Sequence, residues 1–284
     1  MAGTETSKQG SGPTFWYLCI ENTPLEGTLN MAVDQHLLRL VESGEIDRPV
    51  LRIYFWAKAT LSLGYHQRWQ RTVNEAALRR HDVALVRRWT GGRAVLHDPD
   101  EITYALIAPM SAPFSSRISE NYCLIGKALE RFSDLGSASV ARTAPGDDPA
   151  EAKKKKHLPC FASLAPAEIE TKGRKLIGSA QKLGKGAFLQ HGSIPMAHRD
   201  EVLEAVTGTT VPMAAFMSGM AEHFGRAGRP LPSRPELVAL LVAAFETQFG
   251  VSFQDLRERG FPDREASRAI AAETFGRDEW TFRK

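Results

Sequence analysis

Cysteine is scarce in this chain: three occur in 284 residues, Cys19, Cys123 and Cys160. No two stand at metal-ligand spacing, and an odd count argues against a disulfide framework, so a reducing cytoplasm fits best. Long apolar runs are missing too. No segment approaches about 18 uninterrupted apolar residues, which argues against a membrane-spanning helix, and the opening MAGTETSKQGSGPT lacks the apolar centre of a signal peptide. The net charge of +3 and pI near 8.8 are too mild to indicate a nucleic-acid partner. There is no internal repeat, no G-x-G-x-x-G fingerprint and no P-loop. The composition, 43% hydrophobic and 24% charged, is that of an ordinary globular protein with a sizeable core.

Residues 1–14 have no periodicity and read as a disordered tail. Residues 15–20 form an apolar, aromatic strand. In residues 28–43, Leu29, Val33, Leu37, Leu40 and Val41 recur at helical spacing, with Thr28 as N-cap and Gly44 as C-terminal cap. Residues 51–56 and 60–63 read as strands, and 74–81 as a short helix capped by Asn74. Residues 83–88, 93–97 and 102–108 read as a meander of strands around a Gly91-Gly92 loop. A helix follows from Ser119 to Leu135, then a short strand over 138–142 and a polar loop over 143–157. Residues 167–171 pair with 174–181 across Lys172-Gly173, and 187–194 completes a second meander. Beyond residue 200 the chain reads as helical, with segments near 200–207, 213–225, 234–248 and 264–273. Ser233 and Glu236 make a capping box, and Gly250 closes the 234–248 helix.

The densest chemistry lies in RRWTGGRAVLHDPDEITY, residues 87–104. Gly91 and Gly92 let backbone amides approach an anion or a carbonyl, because no Cβ intervenes and positive φ is allowed. Alternation sends Arg87 and Arg88 to opposite faces, so one points into a site and the other makes a structural salt bridge. His97 with Asp98 orients a loop or transfers a proton; the residues alone leave both open. Cys19 and Cys123 read as core residues. Cys160, in LPCFAS, is a candidate nucleophile, which needs its thiolate stabilised by a nearby positive charge. Lys175 is the candidate for that charge. On alternation it shares a strand face with Ile177, Ser179 and Gln181, with Gly178 on the other. The lysine run at 153–156 is a solvated patch or a docking site for an acidic carrier.

Ordered motifs over about residues 15 to 200 resemble the family of lipoate-protein ligases, biotin-protein ligases and octanoyltransferases. These are GTLNMAVD (27–34), SLGYHQ (62–67), RRWTGGRAVLHD (87–98), ITY (102–104), GRKLIGSAQ (173–181) and LQHGSI (189–194). The resemblance implies an α+β fold, a mixed and largely antiparallel sheet flanked by helices, as one catalytic domain over 15–284 whose 200–284 portion is helical. It implies an acyl pocket walled by the segment holding Arg87, Arg88, Gly91, Gly92 and His97, with Lys175 at the acyl carbonyl. Gly178, Ser179, Ala180, His191 and Gly192 come from the same motifs.

Within the family, Cys160-Phe161 stands before the GRK segment as in the Cys-dependent octanoyltransferases of Gram-positive bacteria. Arg93 stands where ligases usually have a third Gly, and Ser193 where a second octanoyltransferase branch has its cysteine. Ala162 and Ser163 depart from the acidic and small residues expected after Cys-Phe. The implied reaction moves octanoate from octanoyl-acyl carrier protein, through a Cys160 thioester, to a lysine of a lipoyl domain or the glycine cleavage H protein. No cofactor or metal is then needed. The alternatives are an ATP-dependent lipoate ligase, which would need ATP and Mg, and a non-catalytic acyl-binding protein. Neither nucleic acid nor membrane is an implied partner. The acceptor lysine, with a pKa of about 10.4, must lose a proton before attack, so the transferase needs a proton acceptor.

Overall fold

The computed structural model describes residues 14–134, 141–142 and 169–283. All but the last residue of the proposed tail over 1–14, the basic run at 153–156 and Cys160 lie outside the described residues. The core is an eight-stranded mixed sheet in the order β11-β1-β2-β6-β10-β9-β8-β7. Its strands are β1 (Phe15–Ile20), β2 (Val50–Tyr54), β6 (Ile102–Pro109), β7 (Ala141–Arg142), β8 (Ile169–Thr171), β9 (Arg174–Leu183), β10 (Ala187–Ile194) and β11 (Ser252–Asp255). β1 runs parallel to both its neighbours, and every other adjacent pair is antiparallel. A small sheet, β4-β3-β5, carries β3 (Thr60–Leu63), β4 (Ala84–Arg87) and β5 (Val95–His97). The α+β class is as expected.

The period of two along each strand divides the core. Trp16, Leu51, Ile53, Tyr104, Leu106 and Phe188 pack on one face against α3 (Ile118–Asp134) and a C-terminal helix, Arg234–Phe249. Tyr17, Cys19, Val50, Tyr54, Ala105 and Leu189 pack on the other face against α1 (Gly27–Ser43). Gly44, at φ 82, closes α1 as expected, but the helix begins at Gly27 with Glu26 at the cap position, so Thr28 is not the N-cap. The reason is local: a bridge between Leu25 and Trp56 fixes the entering chain, and the Asn30 side-chain amide donates to the Leu25 and Phe55 carbonyls. Asn74 caps α2 (Glu75–Arg80) by accepting from the Ala77 amide.

Three expectations change. The strands around Gly91-Gly92 do not form a meander, because β3 lies between β4 and β5 and β6 joins the other sheet. The C-terminal portion is not helical throughout: with α4 (Asp200–Thr207), α5 (Met220–Arg226) and α6 (Arg234–Phe249) it supplies β11, and α7 (Arg264–Ile270) packs on α1. The helix read over 213–225 is broken before Met220, where the Lys175 amide donates to the Phe216 carbonyl and the Ser218 amide donates to the Lys175 carbonyl. Backbone pairing with β9 there replaces helical hydrogen bonds. Cys123 also departs from its core reading. It is exposed on α3, off the buried stripe of Asn121, Ile125, Ala128, Leu129 and Phe132. Cys19 is buried, and burial pushes its thiol up to about 11.

Candidate functional site

The site forms where the two sheets meet at the N-terminal half of α1. A narrow cavity of about 30 Å³ is lined by Arg88, His97, Gly178, Ser179, Ala180, His191 and Gly192, residues from three distant motifs. Met31 and Tyr54 close it from the α1 side. Cross-strand register accounts for the grouping. Ala105, His191 and Ala180 stand opposite one another across β6, β10 and β9, as do Thr103, Ser193 and Gly178, so all six share one sheet face. Gly192 faces the other way. A Cβ there would lie 2.4 Å from Tyr104 Cε1 and 2.8 Å from Ser179 Oγ, so only glycine fits under that ring. The Tyr104 hydroxyl, 2.8 Å from Ser179 Oγ, is pushed up to about 12 by burial, with Gln190 and Ser179 opposing.

The two arginines divide as alternation requires, but the structural one makes no salt bridge among the described residues. Arg87 donates to the carbonyls of Gly64, Gln67, Trp280 and Thr281, tying the C-terminal segment to the small sheet. Burial and the neighbouring Arg283 push its guanidinium down to about 10. It therefore leaves the pocket wall to Arg88, which donates to the Gly91 and Arg93 carbonyls at 2.8 and 2.7 Å and thereby shapes the glycine loop. Gly92 sits at φ 90, and its carbonyl presses so closely on Gly64 that a Cβ at Gly64 would lie 1.9 Å away.

Two buried polar networks hold the histidines. In the first, Asp34 accepts from Arg52 at 2.6 Å, from Tyr54 at 3.1 Å and from His191 Nδ1 at 3.0 Å. A carboxylate only accepts, so the His191 proton is on Nδ1 and Nε2 accepts from the Thr90 hydroxyl at 2.8 Å. Arg52 also meets Glu21, which in turn meets Arg264. Burial raises and Arg52 lowers the Asp34 carboxyl; the outcome is a value below the ordinary carboxylate range. Burial pushes His191 down, so its ring is neutral at pH 7. In the second network Glu101 accepts from His97 Nδ1 at 2.7 Å, Thr103 at 2.6 Å and Ser193 at 2.8 Å. His97 Nε2 accepts from Ser62 at 2.8 Å, and Trp56 stacks on the ring at 3.9 Å. Both His97 ring nitrogens are thus engaged, one by Glu101 and the other by Ser62.

Lys175 is fully buried, though it does not itself line the 30 Å³ cavity. Its face differs from the alternation reading. Ile169 pairs with Ile177 but Glu170 pairs with Lys175, which leaves Leu176 as an extra residue in β9. Leu176 and Ile177 both pack in the α3-side core, as side chains at a bulge do. The period resets there, and Lys175 falls on the cavity face with Gly178 and Ala180 instead of with Ile177 and Ser179.

Sequence reasoning missed Asp34, Arg52, Glu101, Ser62, Thr90, Thr103 and Met31. Glu101 and Thr103 lie inside the motif that named the region, and Asp34 ends GTLNMAVD, where a carboxylate on the apolar side of a helix was the available signal. Among the described residues, no group of three His, Cys, Asp or Glu side chains is placed to hold a metal ion, and no helix is long and apolar enough to cross a membrane.

An α+β domain with a narrow pocket at a sheet junction is what this geometry defines, and comparison with known proteins names its kind. The chain belongs to the family of the lipoyl protein ligase A/B catalytic domain, whose model matches residues 26–225. It is 34% identical over 282 residues to octanoyltransferase LipM of Exiguobacterium sp., covering 96% of this chain and 100% of that one. It is 44% identical over 168 residues to octanoyltransferase LipM of Staphylococcus aureus, covering 58% of this chain and 60% of the relative. Among solved structures, a lipoate-protein ligase A bound with ATP superposes at a TM-score of 0.76 with 19% identity, over 95% of this chain and 99% of that one. A bipartite lipoate protein ligase of Thermoplasma acidophilum superposes at 0.73 with 17% identity, over 95% and 96%. At such identity the structural matches establish the shared fold alone.

Proposed function

We propose that this protein is an octanoyltransferase of protein lipoylation. It takes octanoate from octanoyl-acyl carrier protein onto Cys160 and passes it to a lysine of a lipoyl domain or of the glycine cleavage H protein. The observation that carries this reading is the end-to-end relation to an octanoyltransferase, joined to the Cys160-Phe161 pair ahead of the GRK segment.

The thiolate of Cys160 attacks the donor's thioester carbonyl, the carrier thiol leaves, and the acceptor amine then attacks the enzyme thioester. Lys175, whose burial removes competing water, lends positive charge to the thiolate and to the oxyanion. The acyl chain lies along the face bearing Gly178, Ala180 and His191, beneath Met31 and Tyr54. A cavity of about 30 Å³ holds one or two waters rather than eight carbons. Its walls therefore give way as the chain enters, and the unbranched Met31 is the side chain best able to do so. Neither ATP nor a metal takes part in thioester exchange.

The test is incubation of the full chain with octanoyl-acyl carrier protein in the absence of ATP, followed by intact mass. Wild type gains one octanoyl group and Cys160→Ala gains none. Acceptor modification that demands ATP and persists in Cys160→Ala would overturn the reading in favour of a ligase.

A further inference from the structure

Acyl transfer to lysine requires a group that takes a proton from the incoming ammonium, and the pocket histidines are both committed elsewhere. His191 is held between Asp34 and Thr90, and His97 between Glu101 and Ser62, so neither ring has a nitrogen to spare. His198 differs. Both its ring nitrogens are buried and meet no side chain within hydrogen-bond geometry among the described residues, a Ser218 backbone group being the polar contact that bears on the ring, and Oδ1 of Asp200 two positions on has no partner there.

These groups face a second cavity, of about 20 Å³, which also touches Glu101, Ser193 and Met217. That volume accommodates one water-sized group, and an ammonium is of that size. Ser193 lines both this cavity and the acyl cavity, while Met217 bridges to Lys175. The small cavity thus adjoins the pocket on the side of Ser193 and Lys175. On its outer side it shares Asp98, Glu101, Ala197 and Arg199 with a larger cavity of about 410 Å³. Asp98 and Asp100 make that mouth acidic, although each also meets an arginine, Arg199 at 3.2 Å and Arg234 at 3.1 Å. An aliphatic stem carrying a positive charge suits the passage.

We infer that His198 is a catalytic residue, the proton acceptor for the target lysine, which reaches it through the acidic mouth. The inference rests on the octanoyl-transfer reading above. The ammonium gives one proton to a His198 nitrogen, which releases it to solvent through the mouth. The neutral amine then attacks the thioester carbonyl: the C–N bond forms, the C–S bond breaks, and a second proton moves from nitrogen to the departing thiolate. Thioester and ammonium become amide, thiol and one proton. Charged groups around the ring act in both directions. Burial lowers the His198 value, Asp200 and Glu222 raise it and Arg174 lowers it; the balance is downward, so the ring is neutral at pH 7.

The experiment separates the two half-reactions in His198→Gln. Octanoyl-enzyme formation from octanoyl-acyl carrier protein is followed by mass, then transfer from the isolated octanoyl-enzyme to a lipoyl domain is timed from pH 7 to pH 10. The expected result is an adduct formed as in wild type and a transfer rate reduced at least about 100-fold at pH 7. That deficit shrinks towards pH 10, where solvent deprotonates the lysine. Methoxyamine, a weakly basic amine already neutral at pH 7, should discharge both octanoyl-enzymes equally, which a misfolded variant would not do. Equal transfer rates, a deficit independent of pH, or loss of the methoxyamine reaction overturns the assignment. Absence of an adduct on wild type is the separate failure of the octanoyl-transfer reading.

Discussion

The two networks that hold His191 and His97 are built on opposite principles. Around His191 the charges are matched within the protein: Asp34 and Glu21 face Arg52 and Arg264. Around His97 a single carboxylate, Glu101, is satisfied by hydroxyls and a ring nitrogen. The first network ties α1 to β2, with Arg52 and Asp34 buried at its centre and Arg264 at its exposed edge. The second opens onto the cavity of His198. A self-balanced ionic cluster fixes a wall, whereas a carboxylate held by movable hydroxyl protons borders the place where a proton has to travel. What distinguishes them is how much breaks when one partner goes.

The largest effect falls on the first network. Arg52→Met removes the cation between Asp34 and Glu21 and leaves two buried carboxylates facing each other. A broken buried pair costs about 3–5 kcal/mol, so the urea midpoint should fall by that equivalent at pH 7. A variant that keeps wild-type stability would mean the network holds no wall. Glu101→Gln is milder, because the amide keeps the shape and Ser193 can turn its hydroxyl to accept. Hydrogen bonds to a charged group contribute about 1.5–3 kcal/mol, and the expected loss, read from the same denaturation, lies at or below that range. A loss as large as that of Arg52→Met would erase the distinction between the networks.

Both networks show why the site was only half legible in the sequence. Glycines, the HG pair and the Arg-Arg step announce themselves locally, and strand alternation correctly split Arg87 from Arg88. Asp34 and Arg52 do not, since a carboxylate on a helix and an arginine on a strand look solvated until β2 and α1 are brought together across 18 residues. The bulge at Leu176 was equally silent: an extra residue in β9 carries no composition signal, yet it reverses the face of Lys175. Swapped adjacency of β4 and β5, and the strand β11 after an otherwise helical run, are long-range pairings that local pattern does not encode.

The smallest effect is the pH dependence that the first network imparts. His191 titrates below the ordinary histidine value in the fold, whereas the unfolded chain takes up its proton near 6.5. Below that pH the unfolded state binds more protons, so stability present above 6.5 declines on acidification until the folded ring also protonates. One proton corresponds to at most about 1.4 kcal/mol per pH unit. Asp34, lowered from 3.8, adds a loss of the same sign at more acid pH. His191→Gln should therefore flatten urea midpoints on the acid side of pH 6.5 while leaving the acid limb below about 4, which belongs to the carboxylates. His36 and His198 are lowered as well and keep part of the slope. An unchanged slope in His191→Gln would place the titration on those two rings, and the ionic network would then hold its wall without sensing pH.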